Sequence, residues 1–92
     1  MRTTFKPTSL QGYLKDVTYA ELVEEFGEPH RPEVVDKVRV EWNLNLDGAR
    51  VTIYDYKERT PIEDFTNWHV GGEGRIALLA LEEHFPGRIV RG

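Results

Sequence analysis

Between Lys37 and Tyr56 the chain reads KVRVEWNLNLDGARVTIYDY, a pattern that few folds can accommodate. Val38, Val40, Trp42, Leu44 and Leu46 recur at every second position, the period of a strand with one buried face. Asp47 and Gly48 follow, and both residue types tolerate the positive φ angles of a two-residue type I′ turn. Ala49, Val51 and Ile53 then resume the alternation. The register sets Leu46 opposite Ala49, Leu44 opposite Val51 and Trp42 opposite Ile53, so six apolar side chains share one face.

The flanking segments are read against that hairpin. Residues 1–9 carry no sustained period and form a loose lead-in. Leu10, Tyr13, Leu14 and Val17 fit either a short strand or a turn. Thr18 with Glu21 three residues on spells a capping box, and Tyr19, Leu22, Val23 and Phe26 make one helical stripe that Gly27 ends. Two prolines make residues 28–36 an extended connector. Beyond the hairpin, Ile62 and Phe65 tie a polar loop to the core, and Asn67 to Val70 form a third short strand. Gly71, Gly72 and Gly74 interrupt the pattern. From about Glu73 a helix is predicted, with Ile76, Leu79 and Ala80 as its stripe and Leu78, Leu81 and Phe85 widening it. Pro86 and Gly87 end it, leaving RIVRG as a tail or a last short strand. The expected fold is α+β: a single domain over residues 1–92, with a small antiparallel sheet of three to four strands and two helices packed on one face.

Composition narrows the functional classes. Sixteen acidic and twelve basic residues give a net charge of -4, which argues against nucleic acid as a partner, because phosphate neutralisation needs clustered Lys and Arg. The absence of cysteine excludes disulfides, a thiolate nucleophile and cysteine-bearing zinc sites. No apolar run reaches the roughly 20 residues that span a bilayer, and no signal-peptide core is present, so no membrane role is expected and cytoplasm is the default compartment.

Two groups of residues could carry function. His69 lies in a strand that passes through Gly71 and Gly72 toward a helix beginning near Arg75, and backbone N–H groups at such a terminus attract anions. Asp55 shares the core face with Val51 and Ile53 and needs a polar partner there, with the His69 and Trp68 side chains as candidates. These five residues define a small-molecule, nucleotide or anion site. The competing account is that the glycines merely make a tight strand-to-helix connection. No nucleophile stands beside an Asp/His pair, so no catalytic residue is assigned. His30 and His84 fit structural positions; no metal or cofactor is called for. The second group is Arg39, Glu41, Tyr54 and Tyr56 on the opposite face, where Tyr54 stands across from Glu41 and Tyr56 from Arg39, with Arg50 beside Asn45. Such a strip is either a solvated sheet surface held by cross-strand pairs or a partner-binding surface, since Tyr and Arg are enriched at binding hot spots.

Phe26-Gly27-Glu28-Pro29, Glu41-Trp42, Thr52-Ile53-Tyr54-Asp55-Tyr56-Lys57 and Trp68-His69-Val70-Gly71-Gly72 together resemble small uncharacterised proteins of bacteriophages and prophages. The resemblance covers roughly Tyr19 to Gly72. It implies a setting rather than a chemistry: a nonenzymatic binding protein acting on a host or phage protein or by self-association. A homodimer is expected on separate grounds, because an open sheet has edges and the helix at 75–85 carries more apolar surface than so small a core covers.

Overall fold

The computed structural model describes residues 9–31, 38–56 and 59–92. Residues 1–8 of the expected lead-in, residues 32–37 of the connector and residues 57–58 lie outside the described residues, while Ser9, expected in the lead-in, opens β1. In chain order come β1 (Ser9–Lys15), α1 (Tyr19–Phe26), β2 (Glu41–Leu46), β3 (Ala49–Tyr54), a 3-10 turn (Ile62–Asp64), β4 (Asn67–Gly72), α2 (Arg75–Glu82) and β5 (Ile89–Arg91). The strands make one antiparallel sheet in the order β2-β3-β4-β1-β5. The α+β class holds, but the sheet has five strands rather than three to four. The two additions are β1 and β5, each held by partners far away in sequence: Tyr13 pairs with His69 on one side and Val90 on the other.

The hairpin has the expected register, with Trp42 opposite Ile53, Leu44 opposite Val51 and Leu46 opposite Ala49. Asp47 and Gly48 take φ angles of 54° and 86°, as a type I′ turn requires. The Asn45 side chain supports the turn by accepting the Gly48 N–H at 2.9 Å. In α1 the capping box is complete: Thr18 Oγ1 accepts the Glu21 N–H at 3.1 Å, and Glu21 Oε1 accepts the Thr18 N–H at 2.9 Å. The hydrogen bond from the Thr18 backbone holds the Glu21 carboxyl below its ordinary range. Gly27 closes the helix at a φ of 88°.

Helix α2 corrects the expected stripe. Ile76 and Leu79 are 56% and 61% exposed, while Ala77, Leu78 and Leu81 are buried. Nearly every residue of this run is apolar, so more than one stripe satisfies the helical period. The choice is made by the backbone approach at Gly72, where an added Cβ would stand 2.4 Å from Ala77 Cβ and 2.6 Å from the Arg50 carbonyl oxygen. The smallest apolar side chain of the first turn therefore seats against the sheet, and Ile76 and Leu79 rotate outward. Gly72→Val is expected to cost about 1–3 kcal/mol by overpacking, despite the β propensity of valine. A denaturant midpoint at or above that of the unmodified protein would contradict the packing.

Both helices cover the face that bears Trp42, Val51, Ile53, Trp68 and Val70. Trp42 and Trp68 meet edge to face at 5.5 Å, and Phe65 packs on Trp68 at 4.6 Å. Each indole N–H is used: Trp42 Nε1 donates to the Gly27 carbonyl at 2.8 Å and Trp68 Nε1 to the Val17 carbonyl at 2.7 Å. These bonds fix the exit of α1 and the segment after β1 to the core. Trp42 meets the α1 side through Tyr19 at 5.9 Å; the outward-facing Ile76 and Leu79 do not take part.

Candidate functional site

No described helix packs on the opposite face of the sheet, and there the register aligns one residue from every strand. Glu41 pairs with Tyr54, Tyr54 with His69, His69 with Tyr13 and Tyr13 with Val90. His69 is the hub of this row. Its ring stacks on Tyr54 at 5.4 Å with 23° between the planes, and it meets Tyr13 at 5.3 Å and Tyr56 at 5.7 Å edge to face. Tyr13, Tyr54 and His69 are half-buried, while Tyr56 and Val90 are exposed. Exposed Asn43, Asn45 and Arg50 extend the surface along the hairpin. The expected outward turn of His69, with Trp68 and Val70 inward, is what the structure has.

Burial pushes the Tyr54 phenol above its ordinary value of 10.0, with the neighbouring Tyr13 and Tyr56 phenols adding to the shift. A raised folded-state pKa means that the native protein holds this proton more tightly than the unfolded chain. The associated stability is present below 10.0 and is lost as pH rises through the folded value. In a tyrosinate absorbance titration Tyr54 is expected to ionise above the ordinary range, together with a fall in stability. Tyr54→Phe should remove that late step, and a profile unchanged by the substitution would contradict the assignment.

Arg39 and Asp55 belong elsewhere. Asp55 is fully buried and accepts three hydrogen bonds: from the Arg39 N–H at 2.9 Å, from the Val40 N–H at 3.2 Å and from Arg39 Nε at 2.5 Å. Its partner is thus Arg39 and the backbone entering β2, and neither His69 nor Trp68 supplies the bond. Asp55 continues the alternation of Val51 and Ile53 onto the core face, while Tyr54 and Tyr56 flank His69 on the outer face, so Asp55 and His69 fall on opposite sides of the sheet. Arg39 is correspondingly drawn from the outer strip to its buried carboxylate. An Arg spaced sixteen residues before an Asp carries no local signal for this pairing.

The glycines of the expected anion site are strand residues. Gly71 pairs with Thr52 and Leu10, and Gly72 pairs with Val51 and Ser9, so β4 runs straight through them. Gly72 is used for contact with Ala77 rather than for approach by a ligand. Arg75 is exposed at the start of α2, behind an N-cap at Gly74 that has no side-chain cap. The five residues proposed from sequence for a small-ligand site are therefore not brought together. His30 bridges Glu41 through the backbone, and His84 Nδ1 lies 2.7 Å from Glu25 Oε2, joining the end of α2 to α1. Tyr13 and Val90 are the functional candidates that sequence reasoning missed, because their place in the row depends on strands identified only through distant pairing.

No family model, curated protein or solved structure matches this chain. Among the described residues no helix is long and apolar enough to cross a membrane.

Proposed function

We propose that this chain is a nonenzymatic protein-binding domain, phage-related and cytoplasmic, whose contact surface is the outer sheet face around Tyr54, Tyr56 and His69. The observation that carries the reading is the five-strand row Glu41-Tyr54-His69-Tyr13-Val90, with Tyr56 packed on its histidine. Aromatic rings already ordered by their neighbours lose little freedom on binding, and Tyr is favoured at hot spots for that reason. Glu41 sits at one end of the row and Arg50 beside Asn45 along the hairpin, giving the surface charges of both signs that set the orientation of a protein partner. Arg39 serves this surface indirectly, by fixing the strand entry through Asp55.

Tyr56→Ala combined with Glu41→Lys is expected to preserve the circular-dichroism melt while weakening capture of the host or phage partner. Loss of a hot-spot tyrosine corresponds to about 2 kcal/mol, roughly thirtyfold in Kd. Leu79→Ser on the far side of the molecule should leave capture unchanged. Equal capture by the double variant and the unmodified chain would remove this face from the mechanism. A small-molecule function predicts instead a rise in melting temperature with nucleotides or divalent cations.

A further inference from the structure

We infer that the outer edge of β2 pairs with the same edge of a second copy, on a two-fold axis through Asn45. The direction of the edge groups follows from His30. Its N–H donates to the Glu41 carbonyl at 2.7 Å, and the Glu41 N–H donates to the His30 carbonyl at 2.9 Å. At Glu41 the backbone groups therefore point away from β3, and strand periodicity sends those of Asn43 and Asn45 the same way. No described backbone group meets them, and both asparagines are exposed. Beyond the His30 bridge at Glu41, β2 lacks several of the usual edge protections. It has no proline or lysine, and its register with β3 is unbroken. The sheet's other edge, β5, is only three residues long.

The occupant and its register follow from the neighbours. His30 fills the position opposite Glu41, so an added strand has room only from Asn43 onward. An antiparallel second copy centred on Asn45 fits that limit and sets Leu44 against Leu46 of the other copy, and Leu46 against Leu44. These two leucines are half-buried at the edge of the core face, and the pairing covers both. The stretch Trp42 to Leu46 carries no charge, so two chains of net charge -4 place no like charges opposite one another within it. A strand from an unrelated protein meets the same backbone groups but lacks this leucine reciprocity. The rival surface for self-association is the exposed Ile76 and Leu79 on α2.

Because the chain has no cysteine, N45C introduces its only thiol. Directly paired residues in an antiparallel ladder have Cα atoms about 4.5–5.5 Å apart, within reach of a disulfide. In the same register the two copies of position 43 lie about 13 Å apart, four residues along the strand. Mild oxidation is therefore expected to yield a covalent dimer of N45C and leave N43C monomeric, with circular dichroism confirming that both fold. Sedimentation of the unmodified chain should show a monomer–dimer equilibrium that N43P abolishes, since proline removes an outward N–H without touching the ladder to β3. If N45C loosens the turn that Asn45 supports, the N43P comparison alone decides. A monomer mass at every concentration up to about millimolar, where even a weak Kd populates the dimer, would overturn the proposal. Cross-linking of N43C as readily as N45C, or loss of the dimer in Ile76→Glu but not in N43P, would overturn it equally.

Discussion

Asp55→Ala is expected to unfold the protein or bring it close to unfolding. The substitution strips the bonding partner from the Arg39 and Val40 N–H groups and from the Arg39 guanidinium at once. Removing one member of a buried, hydrogen-bonded ion pair costs about 3–5 kcal/mol, a large part of the roughly 5–15 kcal/mol available to a domain. Arg39→Ala should be milder, about 2 kcal/mol, because the carboxylate keeps its two backbone donors and the arginine side chain is already 29% exposed. Asp55→Asn separates charge from hydrogen bonding, since the amide oxygen still accepts from the backbone. It should fall between the two. Urea denaturation of the three variants checks the order, and Asp55→Ala at or near unmodified stability would mean that the strand entry is held by other contacts.

The second large effect is expected at Trp68, where truncation to alanine removes a fully buried indole and its bond to Val17. Truncation of such a side chain costs about 3–5 kcal/mol through lost transfer energy and the cavity left behind. Trp42→Ala should cost a similar amount, because the two rings pack on each other and Trp42 also ties down the end of α1. For the same reason the double variant is expected to lose less than the sum of the singles. His69→Ala is the contrasting measurement on the adjacent residue. It gives up ring contacts on the outer face, worth about 1 kcal/mol, so the order Trp68 above His69 tests which face of β4 is the core. A reversal of that order would invert the strand.

What was legible in the sequence was whatever is encoded locally. The hairpin register follows from alternation about Asp47-Gly48, and the limits of α1 follow from the Thr18-Glu21 box and Gly27. The orientation of β4 was also readable, since only one of Trp68 and His69 can face a core. The failures share one physical origin, which is that pairing between distant segments leaves no periodic trace. β1 carries a register shift between Leu10 and Gly12 that blurs its alternation, and β5 is too short to show any. The phase of α2 depended on a close approach at Gly72 that no helical pattern contains. At the candidate site, Tyr54 and Tyr56 were recognised because they lie on the hairpin. Tyr13 went unrecognised because its neighbours come from β4 and β5, and Arg39 was misplaced because a buried carboxylate outcompetes a surface ring.

The position of β1 between β4 and β5 bears on how the protein is made. The strand emerges from the ribosome early, yet the residues that flank it are more than fifty and more than seventy positions later in the chain. Translation therefore releases α1 and the β2-β3 hairpin as separable local units while β1 remains without either neighbour. Sheet closure waits for Ile89 to Arg91 to leave the exit tunnel, a late and non-local step of the kind that slows folding. Until β4 emerges both sides of β1 are open edges, and until β5 follows one side still is, so a nascent chain stalled before these strands is the form of this protein most exposed to chaperones and to aggregation.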